Sequence, residues 1–98
     1  MDSASVLSTL RLHEPELKAA GIVHLRLFGS VARGEATDQS DVDLMADLDR
    51  TKRLTLVWMV HLENRLSDLL GVKVDLSPSD GMKEEVRKRA LCEAILAF

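Results

Sequence analysis

The sequence predicts a small α/β (α+β) domain, and three observations predict it. Short runs rich in Val, Ile and Leu alternate along the chain with segments whose apolar residues recur at helical spacing. Glycines punctuate the ends of those segments, at Gly21, Gly29 and Gly71. The 98 residues are 46% hydrophobic and 30% charged, a size and composition suited to one compact domain, so residues 1–98 are read as a single unit.

Each element has its own justification. Asp2 or Ser3 can cap a first helix over residues 5–12, with Val6, Leu7 and Leu10 on one face. Pro15 suits the first turn of a short second helix over 16–20, which Gly21 stops. Residues 22–28 read as a strand, with His24 and Arg26 on one face and Val23, Leu25 and Leu27 on the other. Gly29 and Ser30 end that strand; 31–35 make a helical turn and 36–40 a polar loop. Residues 41–48 form a second strand, with Val42 and Leu44 opposite Asp41 and Asp43. A long helix over 54–69 sets Leu54, Val57, Trp58, His61, Leu62, Arg65 and Leu66 at helical spacing, and Gly71 stops it. A third strand covers 72–76, a turn 77–80, and a last helix 83–96 carries Val86, Ala90, Leu91 and Ile95 as its apolar stripe.

Composition narrows the function. Aromatic residues are 3% of the chain, which leaves no stacking platform for single-stranded bases. The net charge is -3, and the run Arg87-Lys88-Arg89 spreads around a helix, so it is read as a solvated face and a nucleic-acid partner is not expected. Cys92 is the only cysteine; it is read as a small buried hydrophobe in a reducing, cytoplasmic setting. No signal peptide and no membrane span is expected, because no apolar run approaches about 18 residues. His13, His24 and His61 show no ligand spacing and, with Trp58, are read as structural.

The chemistry concentrates in Leu27-Phe28-Gly29-Ser30-Val31-Ala32-Arg33-Gly34 and Ser40-Asp41-Val42-Asp43-Leu44. Asp41 and Asp43, two apart on a strand, project from the same face, and their repulsion calls for a cation or a proton between them. Such oxygen donors suit Mg²⁺. Gly29 lets the backbone approach a phosphate, and Ser30 with the amides after it opens a helical turn that favours an anion. A P-loop fails because Gly34 is followed by Glu35 and Ala36, and an EF-hand fails because Ala46 and Lys52 stand where Gly and Glu belong. Asp-x-Asp alone favours a solvated surface pair; with strand-Gly-Ser upstream the balance reverses and it reads as a metal and phosphate site.

The signature Gly29-Ser30-x-Ala32-Arg33-Gly34 followed by Ser40-Asp41-x-Asp43-Leu44 resembles the minimal nucleotidyltransferases of the DNA polymerase beta superfamily, over nearly the whole chain. The resemblance implies a small mixed sheet backed by helices. It implies Asp41, Asp43 and Asp75 as ligands of two Mg²⁺ ions and as catalytic carboxylates, and Gly29, Ser30, Arg33 and Ser40 as nucleotide contacts. Arg33 has two open roles, a phosphate contact or an ion pair with Glu35 or Asp38. The resemblance further implies transfer of AMP from ATP to a hydroxyl, plausibly of tyrosine, on a HEPN-domain RNase toxin that this chain neutralises. The alternatives are neutralisation by binding alone, and a small-molecule acceptor, for which no additional acceptor domain is expected here.

Overall fold

The computed structural model describes residues 2–37, 40–52 and 55–98. Helix α1 (Ser3–Leu12) starts where Asp2 Oδ1 accepts the Ser5 amide at 2.8 Å, a side-chain cap on one of the orphan donors of the first turn. Helix α2 (Glu14–Ala19) carries Pro15 in its first turn. It begins two residues before the expected 16, as the fixed φ of proline allows. Strand β1 (Ile22–Phe28) leads into the single turn α3 (Gly29–Ala32), and β2 (Val42–Leu48) follows a loop. Helix α4 (Leu56–Leu70) is capped by Thr55, whose Oγ1 accepts the Trp58 amide, and ends at Gly71 with φ 71°. Strand β3 (Val74–Pro78), a 3₁₀ turn (Ser79–Gly81), helix α5 (Glu84–Glu93) and strand β4 (Ile95–Leu96) complete the order.

The four strands make one mixed sheet in the order β3-β2-β1-β4, so the mixed α/β architecture is as expected. β1 runs antiparallel to β2 and β4, while β2 and β3 are parallel. One face carries Leu25, Leu27, Val42, Leu44, Ala46 and Val74, all buried, and packs against Leu10 of α1, Leu17 of α2 and Leu62, Leu66 and Leu70 of α4. Burying each of those leucines contributes about 2 kcal/mol. The other face carries Arg26, Phe28, Asp43, Asp47 and Asp75, and only Met45 among its β2 residues is closed off from solvent.

The expected details change at five places. Ile22 is buried and Val23 is 42% exposed, because a bulge between Ile22 and His24 shifts the strand face. In α4 the core stripe is Leu62, Leu66 and Leu70 with Met59 against it, whereas Val57 is 80% exposed; Leu54 lies outside the described residues. β3 starts at Val74, two residues later than expected. Its first amide donates to Ser67 Oγ and that of Leu76 to Glu63 Oε2, so α4 satisfies the strand's outer edge. The last helix stops at Glu93, and Ala94 is extended (ψ 143°). Ile95 and Leu96 then pair with Leu27 and Arg26, while Arg11 donates to the carbonyls of Leu96 and Ala97. Cys92 is exposed, not buried, and so are Val86 and Leu91; of that helix only Ala90 is buried. Among the described residues no helix is long and apolar enough to cross a membrane.

Candidate active site

β1 ends at Phe28, which is paired with Asp43 of β2. Gly29 then turns the chain with φ 76°, a left-handed conformation that side chains other than glycine's resist. A Cβ at Gly29 would overlap Asp43 Oδ2. Glycine is therefore required there twice, once by the backbone and once by the carboxylate beside it. The turn of α3 has no side-chain cap, because Phe28 at its start carries no acceptor. The Gly-Ser turn and the acidic strand, joined in the sequence reading by their spacing, are in direct contact in the fold.

Asp41 stands just before β2 and Asp43 within it, with Val42 between them and Leu44 after them turned into the core. Asp75 of β3 lies beside Asp43 in the parallel register. Asp43 titrates above the ordinary aspartate value: burial disfavours its charge first, and the charges of Asp75 and Asp41 add to that, against a smaller opposing effect of Arg33. Lys73 Nζ sits 3.6 Å from Asp41 Oδ2. Among the described residues no three acidic, histidine or cysteine side chains converge at metal-ligand spacing. The donor chemistry nevertheless fits Mg²⁺, because the three groups are all carboxylates and the middle one is held at an electrostatic cost that a cation would remove.

The remaining predicted residues occupy defined places. Ser30 lies in the α3 turn, half-buried. Ser40 Oγ accepts the Thr37 amide at 2.9 Å and so ties down the loop that delivers Asp41. Arg33 follows α3 and makes the ion pair the sequence allowed, Nε to Glu35 Oε2 at 3.1 Å. It makes a second with Glu93 Oε2, from Nη1 at 2.9 Å. Asp38, the other expected partner, lies outside the described residues. Sequence reasoning missed Lys73 and Glu93: Lys73 is one of 13 basic residues, and Glu93 is 60 positions from Arg33.

Further along the same face, Asp47 is treated differently. Arg26 Nη1 donates to Asp47 Oδ2 at 2.8 Å and Ser79 Oγ to Oδ1 at 2.5 Å. Burial pushes its pKa up, but the hydrogen bonds from Arg26 and Ser79 outweigh burial and leave it lowered. A cavity of about 240 Å³ lies there, lined by Asp47, Leu48, Arg50, Ser79, Asp80 and Arg87. Trp58 stacks on His61 with centroids 5.1 Å apart and donates from Nε1 to the Ala20 carbonyl, a packing role as expected.

The chain is similar to known proteins along nearly its whole length. The family model for the nucleotidyltransferase domain matches residues 10–97. The protein adenylyltransferase MntA of Thermococcus cleftensis is 36% identical over 89 residues, spanning 90% of this chain and 88% of its own. A candidate protein adenylyltransferase of Methanocaldococcus jannaschii is 34% identical over 94 residues, 95% of this chain and 94% of that one. A solved structure assigned to the minimal nucleotidyltransferases superposes with a TM-score of 0.73 at 38% identity, over 97% of this chain and 95% of that one. A toxin–antitoxin crystal structure with AMP-PNP shares the fold, with a TM-score of 0.72 at 18% identity, over all of this chain and 73% of that one.

Proposed function

Because this chain belongs to the nucleotidyltransferase family, in its minimal branch, we propose that it is a Mg²⁺-dependent protein adenylyltransferase, an antitoxin that transfers AMP from ATP to a tyrosine hydroxyl of a HEPN-domain RNase toxin. The observation that carries the reading is the placement of Asp43 beside Asp75 in one register and against Gly29 across the strand. The name of the Thermococcus relative and the toxin–antitoxin neighbours support the protein acceptor.

In this reading the α3 amides and the Ser30 hydroxyl hold the triphosphate, with Ser40 beside them and Arg33 offering its charge to the phosphates. Asp41, Asp43 and Asp75 would hold two Mg²⁺ ions. When bound, the metal stabilises charge on the attacking and leaving oxygens of an in-line displacement. The acceptor oxygen forms a bond to the α-phosphorus while the bond from that phosphorus to the bridging oxygen breaks, and pyrophosphate leaves with the electron pair. Asp75, exposed at the edge of the carboxylate group, takes the hydroxyl proton.

The test is intact-mass analysis of the toxin after incubation with ATP, Mg²⁺ and this chain. The toxin should gain the mass of one or more AMP residues, and Asp41→Ala or Asp43→Ala should end the gain. An unmodified toxin, still neutralised by the wild type and by both variants, would put neutralisation by binding alone in its place.

A further inference from the structure

Arg33 is held by two carboxylates of different origin. Glu35 is two residues away, and any extended segment after α3 could bring it there. Glu93 is the last residue of α5 and reaches Arg33 because the helix stops at that point. The chain then enters β4, which pairs with Leu27 of β1, the strand that delivers Gly29. The tertiary fold thus brings a second negative charge to an arginine that the proposed function places in the nucleotide site. One guanidinium facing two carboxylates has no positive charge to spare for a triphosphate.

We propose that Glu93 is a positioning residue that competes with the nucleotide's phosphates for the Arg33 guanidinium and thereby sets the affinity of the site. The inference rests on the reading of Arg33 as a phosphate contact given above. All three side chains are roughly half exposed, so the existing ion pairs are weak. A phosphate offers the fork of the guanidinium several charged oxygens and wins the exchange. The pair to Glu93 must break for that to happen, so Glu93 lowers affinity.

The experiment is calorimetric titration of Mg·ATP into the whole chain. Glu93→Gln keeps the shape and removes the charge; it should tighten binding by about two- to fivefold, the range of an exposed ion pair. Glu93→Asp, too short to keep the contact, should tighten it as well. Glu85→Gln, a charge removed from the first turn of the same helix, should leave affinity unchanged. The gain from Glu93→Gln should vanish in an Arg33→Gln background, because the effect acts through that arginine. A merely structural Glu93 would lower the melting temperature with affinity unchanged or weaker, and that result overturns the inference. So does a gain that survives in Arg33→Gln. If wild type and Glu93→Gln bind alike while Asp43→Ala abolishes binding, the inference falls and the proposed function stands. If the wild type does not bind Mg·ATP, both fall.

Discussion

Asp43 and Asp47 stand four positions apart on β2 and face the same side of the sheet, yet the molecule surrounds them oppositely. Asp47 receives Arg26 and Ser79, and its carboxyl titrates below the ordinary range. Asp43 receives burial and two more aspartates, and titrates above that range. Both are carboxylates on the same backbone. The difference teaches which one belongs to the architecture: Arg26 and Ser79 compensate Asp47, whereas Asp43 meets only the smaller opposing effect of Arg33. A carboxyl held at that cost beside the Gly29 turn makes Asp43 the candidate site residue of the two.

The comparison breaks most visibly by removing one aspartate at a time. Asp43→Asn should lower AMP transfer by about a hundredfold or more, because it removes a proposed metal ligand. Its metal-free melting temperature should hold or rise slightly, because repulsion with Asp41 and Asp75 is relieved. Mass-resolved transfer assays and thermal melts together check this, and a large loss of stability with little loss of transfer would reverse the assignment.

Gly29 probes the same site through the backbone. Gly29→Ala meets both the left-handed φ and Asp43 Oδ2 and should cost about 2 kcal/mol or more. Gly34→Ala has a similar φ, 73°, but nothing within 4 Å of the added carbon, and should cost about 1 kcal/mol. Denaturant melts of the two variants side by side measure the difference; equal losses would mean that the approach of Asp43 to Gly29 is not close in solution.

Asp47→Ala should cost about 1 kcal/mol, the worth of a charged hydrogen bond discounted for partial exposure, with transfer little changed. In a domain of this size that lowers the melting temperature by about 4–8 °C. A transfer rate reduced as far as in Asp43→Asn would show that the Arg26–Asp47–Ser79 group belongs to the chemistry.

The smallest effect is the pH dependence, in which the two aspartates carry opposite signs. Asp43 binds its proton more tightly folded than unfolded, so its contribution favours the fold at low pH and is lost as pH rises through the raised value above 3.8. Asp47 is the reverse: its contribution is present above 3.8 and is lost as pH falls through the lowered value. Carboxyl-carbon NMR titration should place Asp43 above Asp47, and added Mg²⁺ should lower the midpoint of Asp43 and leave that of Asp47. Identical midpoints would erase the comparison.

Local signals were the legible ones. The Asp2 cap, the Gly71 stop, the buried Val6, Leu7 and Leu10, and the alternation of Val42 and Leu44 with Asp41 and Asp43 are all decided within a turn or a pleat. The phase of α4 was legible only in part: Leu62 and Leu66 stood in the expected stripe and are buried, but so did Val57, which is exposed. Leu56, Val57 and Val60 fit an apolar stripe as well as Leu62, Leu66 and Leu70 do, and only the docking against the sheet selects the second set. β4 was equally hidden, because residues 83–96 read as one helix and no Gly or Pro marks the stop at Ala94.

By itself, then, the sequence determined the α/β alternation, the strand-Gly-Ser turn and the shared face of Asp41 and Asp43, since bonding along the chain sets the periods of helix and strand. The tertiary structure decided that Asp75 stands beside Asp43, that Gly29 abuts Asp43 and that Glu93 meets Arg33. Those three contacts join residues that only strand register and helix termination bring together. The same is true of the raised pKa of Asp43 and the lowered pKa of Asp47, because each depends on which charges lie within a few ångströms and not on which residues are neighbours in sequence.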